Sequence, residues 1–186
     1  MMNHAVKVKM TSDQFIEWAA SRDTGRFELV AGELLKMSPE RSIHNLVKFA
    51  AANELKRAAK AANVICVVYT DGMGVRIDNH TVREPDAALQ LGGGVGKDDL
   101  LLDQPIIVVE VMSPSSAKAD TLDKLAEYAS VASIMHYILV DADQQVIVHH
   151  ARQSENEFYT EIRRDGEIKV DPPGLFISVA AMLDKA

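Results

Sequence analysis

Apolar residues in this chain recur at two spacings, and the places where one spacing gives way to the other mark out its elements. Nearly unbroken apolar runs at 64–70 ("VICVVYT"), 106–112 ("IIVVEVM") and 135–141 ("MHYILVD") predict buried strands. Shorter strands are predicted at 74–77 ("GVRI"), at 84–91 ("EPDAALQL", with Pro85 tolerable at a strand start) and at 145–151 ("QVIVHHA"). "RFELVAGELLKMS" reads as two strands about an Ala31–Gly32 turn, and 157–170 ("EFYTEIRRDGEIKV") as a hairpin turning at Asp165–Gly166. Helical spacing appears at 11–20, capped by Thr11 or Ser12, and at 119–131, with Leu122, Leu125, Ala126 and Ala129 as its core face. It is strongest over 40–61, where Ile43, Leu46, Val47, Ala50, Leu55 and Ala58 make an apolar stripe in an alanine-rich segment. Ser178 is placed to cap a short final helix.

The passage from 106 to 141 is strand, helix, strand, which is the pattern of a parallel crossover, while the hairpins are antiparallel. An α/β fold follows, a mixed β-sheet core flanked by helices, formed as a single domain over residues 1–186. Apolar residues are 47% and charged residues 25% of the chain, ordinary for a globular protein. The apolar runs are too short for a membrane span and the first residues carry no secretory h-region, so the cytoplasm is the expected location. Cys66, the only cysteine, excludes an internal disulfide and a cysteine zinc cluster, and its apolar neighbours suit a core thiol. A net charge of −7 argues against a general nucleic-acid coat protein. It leaves room for a local basic track: Arg41, Lys48, Lys56, Arg57 and Lys60 lie in the 40–61 helix, as a solvated face or as a phosphate contact.

Within this pattern one residue stands out. Glu110 interrupts the most apolar strand, and a buried carboxylate needs a partner, a proton or a metal. It shares a face with Val108 and Met112 and lies two residues before Ser113–Pro114 ends the strand, where ligand sites of crossover sheets gather. A salt-bridged carboxylate at a sheet end is the plain alternative. Asp86 opens another apolar strand; as a turn residue it is unremarkable, but beside Glu110 it would make a pair of repelling carboxylates that a divalent cation relieves. On the 119–131 helix Asp120, Lys124 and Tyr128 share a face away from the expected core, either as a surface Asp120–Lys124 pair or with the Lys124 ammonium beside the carboxylates. Glu33 follows the first turn and His44 opens the long helix; neither is distinctive alone. His149 and His150 have no acidic neighbour in sequence and receive no role. "LGGGVGKDD" misses a phosphate loop, having Leu91 and Asp98 where Gly and Ser or Thr are needed, and "MSPSS" lacks a nucleophile elbow.

Taken in order, "FELVAGELLKMSPE", a His, "REPDAAL", "IIVVEVMSPSS", then Asp, Lys, "EY" and "YILVD" resemble the Uma2 family, described as a domain of unknown function and as a restriction-endonuclease domain of the PD-(D/E)xK nuclease-like superfamily. The resemblance spans roughly residues 12–183. It implies a restriction-endonuclease-like fold with a Mg²⁺ (or Mn²⁺) site at the sheet edge. On it, Asp86 matches the Asp of the "PD" element and Glu110 the acid of "(D/E)xK", with the Val111 carbonyl as a further metal ligand. The superfamily Lys would stand at 112, where this chain has Met112, and Lys124 matches a lysine that takes over from the following helix. Glu33 matches a family Glu near the first hairpin, a further metal or water contact, and His44 a frequent family His. The implied activity is Mg²⁺-dependent hydrolysis of DNA phosphodiester bonds by an endonuclease, with a homodimer or higher homo-oligomer supplying a shared basic track. A catalytically inactive nuclease-like binding or assembly module, and a phosphoesterase acting on RNA or small nucleotides, are the alternatives.

Overall fold

The strand that carries Glu110 sits inside the largest of the three sheets formed by the described residues. The computed structural model describes residues 9–21, 25–112 and 118–184. In chain order its elements are α1 (Ser12–Ala20), β1 (Phe27–Val30), β2 (Glu33–Lys36), α2 (Ser42–Ala61), β3 (Cys66–Thr70), β4 (Val75–Arg76), β5 (Val82–Arg83), β6 (Ala87–Leu91), β7 (Pro105–Val111), α3 (Lys118–Ser130), β8 (His136–Asp141), β9 (Val146–Arg152), β10 (Phe158–Arg163), β11 (Glu167–Val170), β12 (Leu175–Ser178) and α4 (Val179–Met182). The large sheet has the order β10-β9-β8-β7-β6-β3. Its β7–β8 pair is parallel, with α3 in the connection, and the pairs on either side are antiparallel, so the sheet is mixed as expected.

Alternation along β7 sorts the core into two layers. Ile107, Val109 and Val111 face α2 and the β11–β12 hairpin, together with Leu55, Ile138, Ile168 and Ile177. Val108 faces the opposite way, into a smaller cluster with Ala88, Tyr128 and Tyr137. The small sheet, β2-β1-β5-β4, packs Leu29 and Val82 against Phe15 of α1. Thr11 caps α1 through a capping box with Gln14, and Ser178 caps α4, both as the sequence indicates.

Four expectations change. Residues 157–170 are not one hairpin: β10 pairs back onto β9 over six residues, and β11 pairs with β12, a strand the sequence reading does not assign. The turn at Gly166 (φ 73°) is present but carries the chain from one sheet to another. The 84–91 segment begins its strand only at Ala87; Val82–Arg83 belongs to the small sheet, so Glu84, Pro85 and Asp86 bridge the two sheets. The α2 stripe is rotated: Val47, Ala51, Leu55 and Ala58 are buried, Leu46 is exposed, and Lys48 and Glu54 turn inward. Small alanines let this face lie close to the sheet, and truncating Leu55 there would cost about 2–5 kcal/mol. On α3 the expected core face holds only in part: Leu125 packs against the Tyr128 cluster, but Leu122 is 66% exposed and Tyr128 is fully buried. The inward face of α3 is the one that carries Lys124 and Tyr128, and the buried Glu110 is the reason.

Candidate metal centre at the end of β7

Glu110 projects from β7 toward α3. Lys124 Nζ donates to its Oε2 at 2.8 Å, and the Tyr128 hydroxyl donates to its Oε1 at 2.8 Å. The two donors lie one helical turn apart, which places both over the same carboxylate. Burial pushes the Glu110 carboxyl up to about 7; Lys124 opposes that shift, while the charges of Asp86 and Glu28 add to it. Burial works against the Lys124 charge in turn, but Glu110, Glu28 and Asp86 outweigh it and hold its pKa above the ordinary value.

Asp86 reaches the same strand end from the bridge between the sheets. Its Oδ2 accepts the Val111 N–H at 2.6 Å and its Oδ1 meets Lys48 Nζ at 2.7 Å. The Val111 carbonyl oxygen accepts from His44 Nε2 at 2.6 Å; since a carbonyl only accepts, the hydrogen resides on Nε2. His44 and Lys48 are again one turn apart, on α2. Lys48 is also bonded to Glu40 (2.5 Å) and Asp71 (3.1 Å). Its burial alone would lower its pKa, but Asp86, Glu40 and Asp71 raise it above the ordinary lysine value. Arg26 extends this network to Glu84, Asp71 and Glu40.

The structure therefore brings Asp86, Glu110, Val111 and Lys124 to one strand end. Each carboxylate holds a lysine, Lys48 on Asp86 and Lys124 on Glu110. Met112 sits where the superfamily lysine would stand and packs into the Tyr128 cluster. Glu33 lies elsewhere: it pairs with Val30 beside the first turn, exposed on the outer strand of the small sheet. The hairpin acid whose charge reaches Glu110 is Glu28, buried on β1, accepting from Arg83 Nη1 and from the Glu84 N–H, each at 3.0 Å. Arg83 is shared with Glu127 of α3 at 2.5 Å. Glu28 carries the same signal as Glu110, an acid between apolar residues ("FELV"), and could have been found by it.

Lys48 departs from the solvated-face reading of its helix. It is 4% exposed and belongs to the site, not to a solvated track. Arg57 and Arg41 of the same stretch are engaged by Glu54 and Asp143. His149 and His150 also differ from expectation: His149 lies 3.2 Å from Glu161 and 2.9 Å from His136, forming a separate buried cluster, and His150 meets Thr160. The glycine-rich stretch is tied by its own contacts, Gly96 N–H to Asp99 and Val95 N–H to the Tyr69 hydroxyl. The side chain of Asp120 and residues 113–117 lie outside the described residues.

Among the described residues no three His, Cys, Asp or Glu side chains gather into a ready-made metal-binding group. The oxygens at the strand end are two carboxylates and a backbone carbonyl, hard donors that fit Mg²⁺ or Mn²⁺ better than zinc. No helix among the described residues is long and apolar enough to cross a membrane.

No curated protein matches the chain. Among solved structures, the chain is similar to one described as "a putative nuclease belonging to DUF820" from Anabaena variabilis ATCC 29413, with a TM-score of 0.72 and 14% identity, covering 94% of this chain and 97% of that one. At that identity the likeness speaks for the fold alone, a mixed sheet flanked by helices. The family model described as "Putative restriction endonuclease" matches residues 12–180, which include every described strand and the strand end with its paired carboxylates and lysines, and the chain therefore belongs to the Uma2 family.

Proposed function

We propose that this protein is a nuclease that hydrolyses phosphodiester bonds of DNA, with Mg²⁺ or Mn²⁺ held by Asp86, Glu110 and the Val111 carbonyl. The observation that carries the proposal is the meeting of Asp86 and Glu110 at the end of β7 with the Lys124 ammonium on Glu110. A divalent ion there would polarise a phosphoryl oxygen and supply a nucleophilic water at neutral pH. The protein's own groups then have separate tasks. Asp86, fixed by the Val111 N–H, presents one carboxylate oxygen in a set direction. Glu110 presents the other, oriented by Tyr128. Lys124, held beside Glu110, would offset the negative charge that develops on the reacting phosphate. His44 fixes the carbonyl of Val111.

The test is cleavage of supercoiled plasmid in Mg²⁺ by purified protein and by Asp86→Ala. Cleavage by the wild type and none by the variant is expected; Mg²⁺-dependent cleavage retained in Asp86→Ala rejects the proposal. A second reading, a nuclease-like binding module without chemistry, is favoured by one observation, the lysine already seated on each carboxylate. Calorimetric titration of Mn²⁺ separates the two: binding that is lost in Glu110→Gln supports the nuclease, and no binding to the wild type supports the module. Single-stranded DNA, branched DNA and RNA run beside duplex DNA define the substrate.

A further inference from the structure

We propose that Lys48 is an exchangeable counter-ion: its ammonium occupies Asp86 in the metal-free protein and withdraws onto Asp71 and Glu40 when a divalent cation binds. The inference rests on the metal centre proposed above and adds to it the device that keeps the centre intact while empty.

Three observations carry it. Lys48 Nζ lies within 3.1 Å of three carboxylates at once, Glu40 (2.5 Å), Asp86 (2.7 Å) and Asp71 (3.1 Å). An ammonium has three hydrogens to give, so releasing Asp86 leaves two bonds in place and no buried charge stranded. Second, the charges on this flank do not balance: Glu40, Asp71, Glu84 and Asp86 face the fixed cations Arg26 and Lys48, which with a neutral His44 between Glu40 and Asp86 leaves a surplus of two negative charges that one divalent cation cancels. Third, Asp86 does not depend on Lys48 for its orientation, because the Val111 N–H holds its other oxygen at 2.6 Å. Losing the lysine would leave the carboxylate pointing as before. A cation on Asp86 and an ammonium 2.7 Å from the same group repel, and Lys48, unlike Lys124, has two other carboxylates among the described residues to move onto. Lys124 is built differently: among the described residues, the carboxylate its ammonium bonds is Glu110.

The experiment is Mn²⁺ binding, by calorimetry and by the rise in thermal midpoint with added Mn²⁺, on the full chain. Lys48→Met removes the competitor and is expected to tighten Mn²⁺ binding roughly tenfold, while Lys48→Arg, which keeps the charge, stays near the wild type. Asp71→Asn removes part of the refuge and is expected to weaken binding about threefold, the opposite sign. Equal or weaker binding by a Lys48→Met protein with native circular dichroism overturns the role given to Lys48, while wild-type binding that disappears in Asp86→Asn leaves the metal centre standing. Should Lys48→Met fail to fold, Asp71→Asn decides, and binding as tight as the wild type or tighter overturns the inference. Absence of Mn²⁺ binding in the wild type and in every variant brings down both the centre and the counter-ion.

Discussion

The end of β7 is approached by two helices that use the same spacing to different ends. From one side of the sheet α2 sends His44 and Lys48, one turn apart, to the Val111 carbonyl and Asp86. From the other side α3 sends Lys124 and Tyr128, also one turn apart, to the two oxygens of Glu110. On the α2 flank the lysine is divided among three acids, and the acid is anchored by backbone. On the α3 flank the lysine and the hydroxyl converge on one carboxylate whose pKa burial has raised. The lesson is that two acids at one site can be poised oppositely by their partners. Asp86 is held ready by a fixed hydrogen bond and a lysine with other bonds to fall back on, whereas Glu110 is held near its own titration point in a closed setting.

The sharpest way to break the comparison is to remove each acid in turn. Asp86→Asn and Glu110→Gln should each lower Mg²⁺-dependent plasmid cleavage by roughly a thousandfold or more, with circular dichroism unchanged, because the proposed centre needs both carboxylates. If only one matters, the flanks do not serve a common centre. Removing the α3 lysine comes next. Lys124→Met should lower the cleavage rate at saturating Mg²⁺ about a hundredfold, since the charge that would offset the reacting phosphate is lost. Lys48→Met, by contrast, should first shift the metal concentration at which cleavage is half-maximal. A titration of rate against Mg²⁺ for both variants separates the two lysines.

The raised pKa of Glu110 gives a pH test. A carboxyl whose folded pKa lies near 7, against about 4.5 when unfolded, favours the folded state in its protonated form. That contribution is complete below about 4.5 and is lost as pH rises through about 7. Urea unfolding in a metal chelator should therefore show the stability of the wild type relative to Glu110→Gln declining from pH 5 to pH 8. Mn²⁺ affinity should run the other way, rising with pH toward 7 as the competing proton leaves. The smallest expected effect is that of Tyr128→Phe. Loss of its O–H leaves a buried carboxylate oxygen without that donor and should cost about 1–2 kcal/mol in urea unfolding, with the fold retained.

How much of this was legible in the sequence depends on the range of the signal. The element at 106–112, the crossover to 135–141 and the caps at Thr11 and Ser178 follow from local periodicity and hydrogen-bonding chemistry, and they are present. Glu110 was visible because a charge inside an apolar run is anomalous wherever the strand is placed. Glu28 carries the same signal in a shorter run and is buried, while Glu33 is exposed on the outer strand of its sheet. On α3 Leu122 misled, since it looks like core in any periodicity count; what turned the helix was a carboxylate on another element demanding a hydroxyl and an ammonium. The hairpin at 157–170 failed similarly: β10 and β11 are neighbours in sequence, but each finds a better edge elsewhere.

The sequence by itself determined most of the helices and the strands of the large sheet, that a sheet of mixed direction joins them, and that Glu110 is a charge inside a buried strand that needs a partner, a proton or a metal. Those conclusions rest on spacing and on the cost of burying charge, which are properties of neighbours along the chain. The tertiary structure alone decided that Lys48 turns inward to Asp86, that Tyr128 and not Leu122 faces the core, and that Glu28 joins the charges around Glu110. A side chain's partner across a sheet depends on register and helix rotation, and these are settled only when all the layers pack together.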